Sequence, residues 1–505
     1  MPEPELLVSP SNHESRKENY YIIHAVNDDR IKQVLQTPCN GSIMTTEIVI
    51  LAGGSGKRML SGRPKVLHIL GGRPLLHHII ESSSAVQPDK INIVVGGTTK
   101  DFIVNEVSRH PLNMMNPNTE IAWITQPFPE GTGQAALISV EKIDDDATVI
   151  ILNGDMPLIM PETIARTAEV GDNLNMVTCS LDNPKSYGRI LRTKDNKING
   201  VIEELDATDS QREISEVNVN CFGAKAAWLK KWLPSLKTRN AMGEYYLTDI
   251  VSMAAADGHD IQCIAPLDPQ EILGANNHVE LANIERIYQK RVATRLMKEG
   301  VSIMDPTRFD MRGILKHGLD CRIDINVILE GKVRIGHNVS IGANSIIRNS
   351  VIGNNSVILE NSMIENSMVG SHCMIGPYAR IRPISLIGDH ARIGNFVEIK
   401  ESLIDSETKA SHLSYIGNAR IGKNVNIGAG VITANYDGSG KHKTTIQDNV
   451  FIGSDSQLVA PLNIGEGATI GAGSSITRDV DSRCLVITRA QRKSFPNWQR
   501  GKPKK

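Results

Sequence analysis

Paired cysteines, long apolar runs and a charge of one dominant sign are all missing from this chain, and each absence narrows what it can be. The seven cysteines, Cys39, Cys179, Cys221, Cys263, Cys321, Cys373 and Cys484, are far apart, odd in number and contain no CxxC pair. That excludes a disulfide framework or a zinc site and points to a reducing, cytoplasmic setting. No apolar run approaches the ~20 residues that cross a bilayer, so no membrane insertion is expected. No segment near the start has the basic, apolar, small-residue order of a signal peptide. The formal net charge is -1, so neither a nucleic-acid footprint nor a polybasic membrane surface organises the chain. Basic residues cluster only toward the end, at Arg489, Arg492, Lys493, Arg500, Lys502, Lys504 and Lys505. Residues 491–505 therefore read as a solvated basic tail.

What is present is length and two different rhythms. A chain of 505 residues suggests about three units at ~150 residues each. Residues 1–43 show no apolar period, and Met44 stands just ahead of a buried-type strand. That first stretch is expected to be a disordered arm or an extension upstream of a natural start at Met44. From 44 to 275, short apolar runs alternate with helical patterns. Ile48 to Leu51 leads into a Gly-rich loop, Ile91 to Val95 into Gly96-Gly97, and Val149 to Leu152 into Asn153-Gly154-Asp155. Runs bounded this way predict an α/β, Rossmann-like domain of buried parallel strands and crossover helices. Ligands of such sheets sit at the carboxyl ends of the strands, where these loops lie.

A helical linker is expected over 276–310. Leu281, Ile284, Tyr288, Val292 and Leu296 form one apolar face, and Gly300 is its stop. From 311 to 490 the chain repeats every six residues. One run is Val369, Ile375, Ile381, Ile387, Ile393 and Ile399; another is Ile446, Ile452, Leu458, Ile464, Ile470 and Ile476. Hexapeptide repeats predict a parallel β-helix whose coils stack into a prism. The 4% aromatic content suits its narrow interior. His412 lies in a segment, Lys409 to Tyr415, that reads as an interruption of the six-residue register.

The loop Leu51-Ala52-Gly53-Gly54-Ser55-Gly56-Lys57-Arg58-Met59 follows a strand. Its glycines let the backbone approach phosphate oxygens at a helix start. Arg58 can bridge phosphates and Lys65 can add a point charge. The loop lacks the ending of a P-loop and the spacing of a dinucleotide fingerprint. Taken alone it reads equally as a tight turn, just as Asp155 alone reads as a cap. Joined to Pro64-Lys65 it resembles the sugar-phosphate nucleotidyltransferases. Gln126 ahead of Gly131-Thr132-Gly133, Gly154-Asp155-Met156-Pro157-Leu158, Tyr187-Gly188-Arg189-Ile190, Gly243-Glu244-Tyr245-Tyr246 and Asn276-Asn277 extend the likeness. With the hexapeptide half, the chain from about 47 to 490 resembles the bacterial bifunctional N-acetylglucosamine-1-phosphate uridylyltransferases/glucosamine-1-phosphate N-acetyltransferases.

That resemblance implies two sites. At the first, Leu51, Ala52, Gly53 and Gly54 meet the uridine of UTP, Arg58 and Lys65 meet phosphates, and Gln126, Gly131 and Thr132 read uracil. Gly188, Glu203 and Asn218 hold N-acetylglucosamine-1-phosphate, and Asp155 and Asn276 bind Mg²⁺. Oxygen ligands suit that hard ion. The attacking phosphate oxygen is already ionised, so no general base is required. At the second, His412 is the general base, since the amine of glucosamine-1-phosphate must be neutral to attack a thioester. Arg382, Lys400, Tyr415, Asn426 and Lys441 hold that sugar phosphate, while Asn435, Tyr436, Ser454, Ala472 and Arg489 meet acetyl-CoA. The family's prism is left-handed and trimeric, with the acetyl site between neighbours, so a homotrimer is implied. The implied product, UDP-N-acetylglucosamine, serves peptidoglycan and lipopolysaccharide precursors.

Some positions depart from the family pattern. Lys57 stands where Thr or Ser is common, and Val219-Asn220 where Thr-Gly usually follows the sugar-binding Asn. Ile384 replaces Gly after Arg382-Pro383, and Ser411 replaces Gly before His412. Two rival readings share both domain types. One is a nucleotidyltransferase whose hexapeptide domain only oligomerises or regulates, as in ADP-glucose pyrophosphorylase-like proteins. The other is a non-catalytic subunit resembling those of translation-initiation exchange factors. His412, Tyr415, Asn435 and Lys441 weigh against the first; Arg58, Lys65, Asp155 and Asn276 weigh against the second.

Overall fold

The computed structural model describes residues 45–54, 56–109 and 119–498. The arm at 1–43, the side chain of Lys57, and Arg500, Lys502, Lys504 and Lys505 lie outside the described residues.

The first domain is built on a nine-stranded sheet. Seven strands run side by side in the order Ile261–Ile264, Leu174–Ser180, Glu216–Lys225, Thr148–Asn153, Thr46–Leu51, Lys90–Gly96 and Glu120–Gln126. Alternate residues of each strand face opposite sides. Ile48, Ile50, Ile91 and Ile93 enter one core, whereas Val49, Val94, Val149 and Ile151 enter another on the far side. Helices cover both faces, which is why the strands read as continuous apolar runs. The three expected strands do run parallel, but the sheet as a whole is mixed: Glu216–Lys225 runs antiparallel to both neighbours, and Ile198–Ile202 runs antiparallel to Gly188–Arg192. A strand buried on both faces is apolar whichever way it points, so composition does not encode its direction.

The second domain is a triangular prism of parallel coils. Ile347, Ile364, Ile381, Ile399 and Ile416 stand one above another along one wall. Ile352, Val369, Ile387, Ile404 and Ile421 line a second wall. Ile358, Ile375, Ile393, Ala410 and Ile427 line the third. Each six-residue step in the sequence thus moves the chain to the next wall, and three steps close a coil. All of these residues are buried, and each full burial of such a side chain is worth about 1.5–3 kcal/mol.

The corners need left-handed backbone, and Asn supplies it at positions 338, 344, 355, 361, 418 and 424. The corner amides also bond from coil to coil, as in Asn326 to Asn344 at 3.0 Å and Asn344 to Asn361 at 3.2 Å. Inside the corners, small hydroxyls and thiols close on backbone carbonyls. Ser356 donates to Gly370 O at 2.8 Å, Cys373 to Gly388 O at 3.1 Å and Thr408 to Gly422 O at 2.8 Å. Cys373 therefore does the work of a serine.

Two boundaries differ from expectation. The segment around His412 does not interrupt the register: Ala410, fully buried, takes the place of the usual aliphatic residue, and Ile416 follows six residues later. The true interruption lies between Thr433 and Ile446, where a loop closed by the Tyr436–Lys441 bridge is inserted. The prism also begins before residue 311. Ser302–Ile303 is its first rung, paired with Arg322–Ile323, and a rung with one buried side chain leaves no period to read.

The helix His278–Lys298 joins the domains. Ile284 packs with Leu70, Leu75, Leu158 and Ala275 of the first domain, whereas Val292, Ala293 and Leu296 belong to the β-helix core. Gln289, 1% exposed, donates to Met311 O at 2.9 Å and accepts from Met311 N at 2.8 Å. Glu285 accepts from Gly71 N at 2.9 Å.

Ile384 keeps the corner geometry at a cost: its φ is 62° and its side chain is 76% exposed. A β-branched residue there carries about 1–2 kcal/mol of strain. Ile384→Asn is expected to raise stability by roughly 1 kcal/mol, read from urea denaturation; an unchanged or lowered midpoint would mean that the Ile384 side chain makes compensating contacts.

Candidate active sites

An open cleft of about 650 Å³ lies at the carboxyl ends of the parallel strands Thr46–Leu51 and Thr148–Asn153. Leu51, Gly53, Gly54, Arg58, Lys65, Gln126, Gly131, Thr132, Asp155, Gly188, Glu203, Asn218 and Asn276 all line it. Ala52 does not. It is buried behind the wall, with its N–H on Val94 O at 2.8 Å. At Gly54 an added methyl group would meet nothing within 4 Å, whereas at Gly53 it would stand 2.5 Å from Gln126 Oε1. The loop backbone can therefore lie directly against the Gln126 carboxamide.

Four polar side chains converge at one end of this cleft. Lys65 Nζ is paired with the Asp155 carboxylate and donates to Asn276 Oδ1 at 2.6 Å. Arg58 Nη2 donates to the same Asn276 oxygen at 2.8 Å. Asn276 is held in turn from the helix that follows it. Its backbone N–H donates to Glu280 Oε2 at 2.9 Å, and Asn277 caps the helix through Val279 N and Glu280 N. Tyr187, whose hydroxyl is pushed up to about 12 by burial and by the nearby Asp155 and Glu280 carboxylates, closes this corner.

The corner around Gly131 is fixed by backbone. Gly131 sits at φ 117°, and a Cβ there would fall 2.5 Å from Tyr245 O. Gly133 N donates to Tyr245 O at 2.8 Å and Tyr245 N to Glu130 O at 2.8 Å. The Gly243-Glu244-Tyr245-Tyr246 motif thus pins the Gly131-Thr132-Gly133 turn. Gln126 donates to Gln134 Oε1 at 2.6 Å, which fixes its amide.

The opposite end is acidic. Glu203 accepts from Thr248 Oγ1 at 2.9 Å, and burial pushes its carboxyl above the ordinary 4.5. Asp249 is raised too, by burial and then by Asp206. Asn218, 3% exposed, donates to Asn220 Oδ1 at 2.9 Å.

In the β-helix the second set divides between two edges of one wall. Asn395 and His412 are in register, and Ser454 and Ala472 hold the equivalent position in later coils, each two residues past a buried column residue. Arg489 Nε donates to Ala472 O at 2.7 Å. Exposed Tyr378, Phe396 and Leu413 run along this same edge. Arg382, Lys400 and Tyr415 lie on the wall beyond it, with Arg382 bonded to Glu398 at 2.7 Å. At the far edge Asn435 donates to Asn418 Oδ1 at 2.6 Å, Asn418 donates to Glu401 Oε2 at 2.8 Å, and Lys441 reaches Glu401 Oε1 at 3.3 Å. Lys400 stands 3.5 Å from the same oxygen. Glu401 is held below its usual range chiefly by the Asn418 hydrogen bond. Tyr436, 65% exposed, sits at the base of the inserted loop. Asn426 stands apart on the neighbouring wall, in register with Lys409 and Phe451.

Residues 48–218 match the MobA-like NTP transferase domain, residues 317–404 the GMPPB C-terminal domain, and residues 443–478 the bacterial transferase hexapeptide repeats. The chain is 46% identical over 455 residues to the bifunctional protein GlmU of Methylococcus capsulatus, covering 90% of this chain and 96% of that one. It is 45% identical to that of Francisella philomiragia, covering 90% and 99% of the two chains, and 42% identical to that of Alkalilimnicola ehrlichii, covering 90% and 96%. It belongs to the GlmU family. The chain is accordingly a bifunctional enzyme, a uridylyltransferase in its nucleotidyltransferase domain and an acetyltransferase in its hexapeptide β-helix.

Several members of both sites escaped the sequence reading. Glu280 carried a signal, since Asn277 followed three residues later by Glu is a capping pattern. Tyr187 was quoted in a motif without a role. Thr248, Glu401 and Asn418 offered nothing local, because each acts through a partner distant in sequence or set by the coil register, whereas Asn220 showed only as a departure from the family pattern and its bond with Asn218 was not foreseen.

The acidic end supplies a test by linkage. Because burial raises the Glu203 carboxyl above 4.5, the folded protein resists its ionisation more than the unfolded chain does, and this destabilises the fold once pH exceeds that value. Glu203→Gln is expected to melt higher than the parent near neutral pH, with the gain vanishing by about pH 4, where both states are protonated. Melting curves across that range check it; a variant that melts lower at pH 7 would overturn the burial argument.

Proposed function

We propose that the cleft transfers UMP from UTP to N-acetylglucosamine-1-phosphate, with Arg58 and Lys65 aligning the phosphates and with Asp155 and Asn276 as the residues that would hold Mg²⁺. The observation that carries this reading is the convergence of Arg58, Lys65, Asp155 and Asn276 beside the glycine loop. Mg²⁺ fits the donor set. The Asp155 and Asn276 oxygens share one ammonium group and so lie within reach of one small cation. Among the described residues no cluster of three or more His, Cys, Asp or Glu could form an all-protein cage, which agrees with an ion that keeps waters and shares substrate phosphates. When bound, Mg²⁺ supplies charge that offsets the phosphates. Gln126, Gly131 and Thr132 read the base, and Gly188, Glu203 and Asn218 hold the sugar.

In the β-helix, His412 takes the proton of the glucosamine-1-phosphate amine as that amine attacks the thioester of acetyl-CoA. Arg382, Lys400 and Lys441 anchor the phosphate and exchange their Glu398 and Glu401 partners for it. Tyr415 and Asn426 complete the sugar contacts. Ser454, Ala472 and Arg489, stacked along the His412 edge, form a track for acetyl-CoA with Asn435 and Tyr436. The exposed strip of Tyr378, Phe396 and Leu413 supports a second copy packing beside His412, and hence a homotrimer. Among the described residues no helix is long and apolar enough to cross a membrane, and free cysteines support work in the reducing cytoplasm.

The two activities separate by mutation. Asp155→Ala is expected to lower UDP-sugar formation roughly hundredfold or more while acetylation continues. His412→Ala is expected to cut acetylation by about 10²–10⁴ while uridylyl transfer to ready-made N-acetylglucosamine-1-phosphate continues. Free CoA and pyrophosphate, followed separately, report the two steps; unchanged acetylation in the second variant would remove His412 from the role of base.

A further inference from the structure

The strand Glu216–Lys225 is broken by a bulge between Asn218 and Phe222. Within it Asn220 adopts φ 54°, a left-handed conformation that Asn tolerates and most residues do not. The turn sends the Asn220 side chain back toward Asn218, whose Nδ2 donates to Asn220 Oδ1 at 2.9 Å. One end of the Asn218 carboxamide is thereby used. The other end, Oδ1, is buried and has no hydrogen-bond partner. Both side chains line the cleft, beside Gly188 and Glu203.

A buried amide oxygen without a partner is a costly arrangement unless a ligand completes it. The oxygen and nitrogen of a carboxamide are nearly the same size, so an unrestrained Asn218 could present either to the cleft. Its only restraint of this kind is the acceptor offered by Asn220. Building on the assignment of this end of the cleft to the sugar phosphate, we propose that Asn220 is a positioning residue: it fixes the Asn218 carboxamide with its oxygen toward the cleft, where it accepts a hydrogen bond from a hydroxyl or amide N–H of the sugar. Glu203, shielded and beside Gly188, adds a second acceptor, so this end of the cleft selects a ligand rich in donors. A site built this way rejects an analogue lacking the donor, because its own buried oxygen is then left unpaired.

The test compares three full-length enzymes in uridylyl transfer. Asn220→Gly keeps the backbone conformation and removes the acceptor; KM for N-acetylglucosamine-1-phosphate is expected to rise roughly three- to tenfold, with KM for UTP unmoved. Asn220→Asp offers only acceptors and forces the proposed polarity; it is expected to raise this KM less than Asn220→Gly does. A rise in Asn220→Asp as large as in Asn220→Gly would mean that Asn218 presents its nitrogen instead, and no rise in Asn220→Gly would mean that Asn220 positions nothing. Glucose-1-phosphate as a competing inhibitor identifies the donor: a penalty that persists for it marks a ring hydroxyl, and one that vanishes marks the acetamido N–H. An unmoved KM for UTP together with a parent-like melting curve shows that the nucleotidyltransferase domain of each variant is folded. A parent enzyme that releases no pyrophosphate from UTP and N-acetylglucosamine-1-phosphate would instead defeat the assignment of the cleft, whatever the variants do.

Discussion

The relation between the two domains depends on a buried carboxamide. Gln289 satisfies both backbone groups of Met311 in the first long strand of the prism. Its own helix meanwhile packs Ile284 into the other domain. A buried peptide group without a partner costs ~1–3 kcal/mol, so the helix is held in register with the prism by polar satisfaction as well as by apolar area. The consequence reaches the cleft. The same helix begins at the Asn277 cap, and Glu280 in its first turn holds Asn276 by the backbone. Asn276 in turn shares its oxygen between Arg58 and Lys65. A residue of the cleft is thus placed by a helix whose far end belongs to the other domain's core.

Features that repeat locally were legible in the sequence, and features that depend on pairing were not. The six-residue aliphatic rows of the β-helix reappear as the walls of the prism, because each step is fixed by the neighbouring corner and needs no knowledge of distant residues. The apolar strands of the first domain and the loops at their carboxyl ends were legible for the same reason. The direction of Glu216–Lys225 was not, since burial on both faces removes the pattern that would show it. The His412 segment misleads in the opposite way. Ala410 is small, so the row seems to break, although the coil register continues through it. Gln289 resembles a solvent-facing residue of the connecting helix until its partner Met311 is known. The ladder from Asn435 through Asn418 to Glu401 exists only because three coils bring those corners together.

Two of the departures from the family pattern follow backbone demand more than chemistry. At Asn220 and Ile384, where the family pattern carries glycine, the backbone retains positive φ. Asn meets that demand cheaply and adds a side-chain acceptor. Ile meets it with strain, at an exposed corner beside Arg382 where its side chain is turned to solvent. The same geometry thus accommodates one substitution that can tune the cleft and another that only taxes the fold.

The polar layout of the cleft differs between its two ends. At the glycine-loop end, Lys65 is paired with Asp155, and Arg58 and Lys65 both donate to the Asn276 amide oxygen. A phosphate arriving there exchanges partners with cations that are already oriented, and no charge has to be buried alone. At the other end, Glu203 lines the cleft and accepts from Thr248 Oγ1, beside the carboxamides of Asn218 and Asn220. Under the proposed reading, these acceptors suit a neutral ring with donor groups better than a phosphate, which brings only acceptors. Under the proposed reading, a sugar phosphate lies with its phosphate toward Lys65 and its ring toward Glu203, an orientation compatible with in-line attack on a nucleotide α-phosphate.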